Sequence, residues 1–145
     1  MKEYIAVSAC LLGVNCKYDG SNNYNKKIEE LIKGKTVLPI CPEVFGGLST
    51  PRNPSEEQDD GRIIMDNKKD VTKEFKLGAL RTLEFLKKLN CKNVILKNGS
   101  PSCGNYTYDG TFNHIKRMDK MGVTAKLLKD NDINLIYIDW WILKK

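Results

Sequence analysis

The sequence predicts an α/β fold: a single-domain, Rossmann-like, three-layer α/β/α arrangement with a mostly parallel sheet of about four strands. Two observations carry this. Short apolar runs of strand length alternate along the chain with stretches whose apolar residues recur at helical spacing, the pattern of strands joined by right-handed crossovers with helices on both faces. The 145 residues, 41% hydrophobic and 29% charged, match one domain of ordinary globular balance, taken here as residues 1–145. No internal repeat and no low-complexity segment interrupts the pattern.

Tyr4 to Ser8 reads as a short buried strand. Ile28, Leu31 and Ile32 fall at i, i+3, i+4 on a helix that Gly34 can end. Thr36 to Ile40 is the second strand, and its Pro39, which has no N–H for a ladder, makes it an edge or its end. Cys41 to Asp60 is rich in Pro, Gly, Ser and acidic residues and is expected to be a long loop without a regular element. Gly61 to Asp66 forms a small strand or hairpin arm. Phe75, Ala79, Leu83 and Leu86 repeat at helical spacing on a helix capped by Asp70 or Thr72 and running to about Leu89, with Asn90 taking a left-handed exit. Asn93 to Lys97 is the third strand, Asn98 to Gly110 a loop, Val123 to Lys129 a helix and Asn134 to Ile138 the fourth strand.

Twenty-four Lys and Arg against 18 Asp and Glu give a net charge of +6, which suits phosphate-bearing partners. No long like-charge block is present, so no stable nucleic-acid partner is expected. The apolar stretch from Tyr4 to Leu12 is too short and interrupted for a signal peptide, and that from Leu135 to Leu143 is broken by Asp139. No membrane association is expected, which leaves the cytoplasm.

Five cysteines, an odd count with no C-x-x-C pair, argue against a disulfide framework, a thioredoxin-like site and a zinc ribbon. Three of them hold equivalent places: Cys10 follows the first strand, Cys41 the second, and Cys103 lies in the loop after the third. Ligand sites in open parallel sheets lie outside the carboxyl ends of the strands, so these thiols converge over one crevice. They could hold zinc, or three irons of a [4Fe-4S] cluster with the fourth iron open; the plainer alternative is three small core residues. Cys91 sits on the opposite rim and reads as structural, Cys16 can reach the crevice from the Cys10 loop, and His114 reads as a surface residue. Glu43, two residues past Cys41, is either a general acid or base or an ordinary exposed carboxylate. The small residues from Asn98 to Gly104, with Gly13, Gly46 and Gly47, allow backbone N–H groups close to a ligand, and Arg52 can pair with an anion such as phosphate.

Ser8-Ala9-Cys10-Leu11-Leu12-Gly13 followed by Cys16-Lys17-Tyr18-Asp19-Gly20, Cys41-Pro42-Glu43-Val44-Phe45-Gly46-Gly47-Leu48 with Pro51-Arg52, and Leu96-Lys97 with Ser100-Pro101-Ser102-Cys103-Gly104 resemble the bacterial thiouracil desulfidase family. Asp70-Val71-Thr72, Tyr108-Asp109-Gly110-Thr111-Phe112 and Gly122-Val123-Thr124-Ala125 extend the resemblance over nearly the whole chain. It implies a cytoplasmic enzyme that removes sulfur from thiolated uracils without net electron transfer, giving the oxo base and sulfide. It also implies a [4Fe-4S] cluster on Cys10, Cys41 and Cys103, a catalytic acid at Glu43 and a catalytic serine at Ser100 or Ser102, Ser100 being favoured. Arg52, Gly46, Gly47 and Asn98 are the expected substrate-binding residues. The substrate would be a small thiolated pyrimidine or its nucleotide, with an open iron taking the soft thiocarbonyl sulfur as a Lewis acid. The segment from Asn113 to Met121, bulkier and more basic than the family pattern, is expected to bear on substrate preference. The competing readings are a non-catalytic cluster-bearing or zinc-bearing sensor and a sulfur carrier using a Cys16 or Cys103 persulfide. The oligomeric state is left open.

Overall fold

The computed structural model describes residues 3–138. Strand β1 (Tyr4–Ser8) runs into a 3-10 turn at Ala9–Leu12, and helix α1 (Lys26–Leu31) leads to β2 (Thr36–Ile40). Helix α2 (Pro42–Phe45), a hairpin of β3 (Ser55–Glu57) and β4 (Ile63–Met65), and the long helix α3 (Thr72–Lys88) follow. The chain continues through β5 (Asn93–Leu96), a second hairpin of β6 (Thr107–Tyr108) and β7 (Lys116–Arg117), α4 (Val123–Asp130) and β8 (Asn134–Tyr137). The fourth expected strand thus ends at Tyr137, and the end of the apolar stretch to Leu143 lies outside the described residues.

Four strands form one sheet in the order β2-β1-β5-β8, and every pairing in it is parallel. The alternation of side chains along each strand splits the core into two faces. Ile5, Val7 and Ile95 pack with Ile28 of α1 and Leu11 of the 3-10 turn. Ala6, Ile40, Val94 and Leu96 face the other way, against Leu83 and Leu86 of α3 and Ala125 and Leu128 of α4. Each large side chain buried there contributes about 1.5–3 kcal/mol. This is the expected Rossmann-like three-layer α/β fold. Pro39 faces Val7 on β2, the edge strand, where its missing N–H costs no ladder bond.

Two departures from the sequence reading matter for the site. The segment from Cys41 to Asp60, expected to lack regular elements, contains α2 and β3. Pro42 stands in the first turn of α2, where its missing N–H is an orphan in any helix, so this proline starts the element. The second departure is the β6–β7 hairpin, whose two-residue strands are too short to show a period of two. It is held by Glu56, whose Oε1 accepts from the Gly110 and Phe112 amides at 3.0 and 3.1 Å.

α2 is seated directly on α3 through two glycines. A Cβ on Gly46 would fall 1.9 Å from the Glu74 carbonyl oxygen, and one on Gly78 would fall 1.9 Å from that of Pro42. Only hydrogens let the backbones approach this closely. Arg81 Nη1 donates to the Phe45 carbonyl at 2.6 Å and locks the end of α2 to the same helix.

Candidate active site

The chain leaves β1 for β2 on one side and crosses back to β5 on the other, so the strand order reverses at β1. At such a reversal the loops leaving adjacent strands diverge and open a crevice at their carboxyl ends. A cleft of about 300 Å³ lies there, and Cys10, Cys16, Cys41, Cys103, Glu43 and Ser100 all line it.

Each thiol is placed by a different element. Cys10 stands in the 3-10 turn after β1, where Asn23 Nδ2 donates to its sulfur at 3.7 Å. Cys41 stands at the cap position before α2. Cys103 follows β5 and is buried, its carbonyl accepting from the Tyr137 hydroxyl at 2.6 Å. Cys16 lines the cleft beside them, its carbonyl accepting from the Cys41 sulfur at 4.0 Å. The neighbouring Cys16 thiol lowers Cys10 to about 7, with Asn23, Lys97 and Lys17 adding to the effect. It lowers Cys41 to about 7 as well, aided by the Val44 amide. Cys16 is pushed up in exchange, and Cys103 is pushed up by burial. Cys91 is buried at the far rim, its sulfur donating to the Asn93 carbonyl at 3.4 Å.

Among the described residues no three His, Cys, Asp or Glu side chains converge on a point as ligands of one metal ion do. A cluster binds differently, since each thiolate takes a separate iron and the sulfurs stay apart. Soft thiol donors from three loops, two of them readily ionised, suit a multi-iron group of that kind. The donor set fits a [4Fe-4S] cluster on Cys10, Cys41 and Cys103, and Cys16 adds a fourth thiol beside the first two.

Glu43 is held from both sides. Its Oε1 pairs with Arg52 Nε at 3.1 Å, and its Oε2 faces the Ser100 hydroxyl at 3.4 Å. Ser100 Oγ accepts from the amides of Ser102 and Cys103 at 3.0 and 3.1 Å. With its lone pairs engaged, its own O–H is directed at Glu43. The loop closes tightly because residue 104 is glycine: a Cβ there would sit 2.4 Å from the Tyr106 carbonyl oxygen and 2.6 Å from that of Ser100. Ser102 points away from the cleft, fully buried, with its hydroxyl 2.8 Å from that of Thr124.

Asn98 lines the cleft, and its Nδ2 donates to the Ile138 carbonyl at 3.4 Å. Gly46 and Gly47 do not line it, Gly46 being committed to the contact with α3. Arg52 borders the cleft, yet its side chain is only 5% exposed. Besides Glu43 it donates to the Ser49 carbonyl, the Thr50 hydroxyl and the Cys16 carbonyl, each at 3.1 Å. Lys17 and Lys97 line the cleft instead as cations; both stand in motifs that carry the family resemblance, but neither is assigned a role of its own there. His114, read there as a surface residue, is exposed but also lines the cleft, edge-on to Tyr108 at 5.8 Å. Arg117 is turned to the Glu57 and Asp109 carbonyls and to Asp59.

The arrangement pairs a soft-metal donor set with a carboxylate and hydroxyl able to move a proton, beside a small cavity with aromatic, cationic and apolar walls. No helix among the described residues is long and apolar enough to cross a membrane.

Comparison with known proteins agrees with this chemistry. A protein of Bacillus subtilis (strain 168), the uncharacterized protein YbbK, is 40% identical over 142 residues, 91% of this chain and 93% of the relative. A solved structure described as a [4Fe-4S]-dependent thiouracil desulfidase, TudS, superposes with a TM-score of 0.86 at 37% identity, covering 99% of this chain and 96% of that one. The family model for 2-thiouracil desulfurase matches residues 5–139. With its match spanning almost the whole chain and taking in every thiol of the cleft, the chain belongs to the 2-thiouracil desulfurase family.

Proposed function

We propose that this protein is a [4Fe-4S]-dependent desulfidase that converts thiouracil, or a nucleotide carrying it, into the oxo base and sulfide. Cys10, Cys41 and Cys103 hold the cluster, Glu43 is the general acid and base, and Ser100 orients the ring and passes protons to Glu43. The observation that carries the reading is the meeting of these thiols with the Glu43–Ser100 pair in one cleft. A sensor of metal occupancy would need no such pair. When bound, the cluster supplies a Lewis-acidic iron that accepts the sulfur displaced from the ring carbon.

The net change is a hydrolysis: a C–O bond forms from water, the C–S bond breaks and hydrosulfide leaves, with no change of oxidation state. Glu43 takes the proton that water loses as it attacks and returns it to ring or sulfur. It can do so because one carboxylate oxygen stays paired with Arg52 while the other faces the cleft through Ser100. Tyr108 and His114 present aromatic walls to the ring. Lys17 and Lys97 support the nucleotide form of the substrate, because they bring positive charge to the cleft while the donors of Arg52 are engaged elsewhere.

The test is Glu43→Gln in anaerobically reconstituted protein. Iron and labile sulfide should match the parent, while sulfide release from thiouracil falls on the order of 10²–10⁴-fold, the range of a general acid–base group. Turnover within about threefold of the parent, well below that range, would remove Glu43 from the reaction.

A further inference from the structure

The geometry points to Arg52 as a positioning residue that acts through Glu43, and not as a grip on the substrate. This rests on the reading of Glu43 as the proton carrier. Its side chain is nearly closed off from solvent, 5% exposed against 18% for Glu43, and four donor contacts radiate from the guanidinium. Nε goes to Glu43, Nη1 to the Ser49 carbonyl and the Thr50 hydroxyl, and Nη2 to the Cys16 carbonyl. Its backbone amide donates to the Tyr18 carbonyl at 2.7 Å. A guanidinium so occupied has no second parallel pair of N–H groups to offer a phosphate, the geometry such recognition uses.

The same contacts explain what Arg52 does instead. Glu43 sits in the first turn of a four-residue helix, too short to fix a side chain alone. Arg52 ties down Oε1 and leaves Oε2 toward Ser100 and the cleft, so the three side chains form the line Arg52–Glu43–Ser100. The last two donors anchor this line to its own loop and to the chain at Cys16. A carboxylate fixed in this way meets the reacting proton in one orientation, and a displacement of about 1 Å in such a group costs on the order of 10²-fold in rate.

The experiment is a cycle of Arg52→Gln, Glu43→Gln and the double variant, each reconstituted anaerobically and assayed on a thiobase and on its thionucleotide. Arg52→Gln should keep its iron and labile sulfide, lose kcat on the order of 10²-fold equally on both substrates, and leave each KM within about twofold. In the Glu43→Gln background the Arg52 change should cost no further kcat. In the metal-free proteins the melting temperature of the double variant should fall by less than the two single falls together, which reports the contact without turnover. A loss confined to the nucleotide, through KM, would make Arg52 a substrate ligand. Multiplying losses in kcat, or loss of the cluster, would make it a structural clamp, and either result overturns the inference. An active Glu43→Gln enzyme would instead bring down the reading on which it rests. Should Arg52→Gln fail to fold, Arg52→Lys, which keeps the charge and loses the fork, runs the same cycle with a smaller expected loss.

Discussion

Replacing Gly78 with Ala places a methyl group 1.9 Å from the Pro42 carbonyl oxygen, more than 20 residues away in sequence from Cys103 and on a helix that contributes no side chain to the cleft. A carbon relaxes against a carbonyl oxygen only near about 3.3 Å, so α2 must move off α3 by about 1.4 Å. The obstacle is backbone on both sides and cannot swing aside, which puts the cost at the upper end of the overpacking range, about 3 kcal/mol. Alanine returns about 1 kcal/mol in helix propensity over glycine. The net loss is about 2 kcal/mol, or a fall of about 8 °C in melting temperature at this chain length. The functional consequence follows from what α2 carries: Glu43 lies on it and Cys41 caps it. Functional groups tolerate about 0.5 Å of misplacement, so kcat should drop on the order of 10²-fold. The assay is thermal unfolding under anaerobic conditions alongside sulfide release per reconstituted cluster, with Lys76→Ala on the exposed face of α3 as the neutral control. A Gly78→Ala protein as stable as the parent and fully active would show that the α2–α3 contact neither limits packing nor positions Glu43.

The two serines of the loop after β5 should separate cleanly. Ser100→Ala removes the hydroxyl that faces Glu43 and should lower kcat by about 10², whereas Ser102→Ala breaks a buried bond to Thr124 and should cost about 1–3 kcal/mol of stability with turnover per cluster nearly intact; urea unfolding and sulfide release measure the two. If Lys17 and Lys97 attract a substrate phosphate, kcat/KM for the thionucleotide should exceed that for the thiobase at low salt. The advantage should shrink as salt is added, because exposed charges are screened beyond about 8 Å at physiological ionic strength. Equal values for base, nucleoside and nucleotide would assign recognition to the ring alone.

Much of the fold could be read in the chain because the strands are apolar runs bounded by turn residues, and because Phe75, Ala79, Leu83 and Leu86 mark one helical face that is buried. The gathering of Cys10, Cys41 and Cys103 at one cleft was legible for the same reason: each follows a strand, and parallel strands end together. α2 was not, because a Pro-Gly-Ser composition hides a helix that begins on its proline and ends on a glycine used for packing. The partner of Arg52 was not legible either. It lies nine residues away across an irregular loop, where no periodicity tells which carboxylate a guanidinium will meet, and Glu43 competes there with Glu56. His114 reads as surface because it stands in a basic stretch with Lys116 and Arg117, and it is exposed; its φ of 59° and the hairpin it sits in also bring it to the cleft, and neither shows in residue type. Ser100 and Ser102 look alike in sequence and differ only in which side of a tight turn they occupy.

On the proposed reading, three thiols from three strand ends hold one cluster at which thiouracil loses its sulfur. The most direct measurement of this is iron and labile sulfide per chain, with sulfide release from thiouracil, in anaerobically reconstituted Cys10→Ser, Cys41→Ser and Cys103→Ser proteins beside Cys91→Ser. The first three should lose the cluster and turnover, and Cys91→Ser, whose sulfur lies at the opposite rim, should keep parental values of both. A Cys41→Ser protein with a full complement of iron and labile sulfide and unchanged sulfide release would contradict that reading.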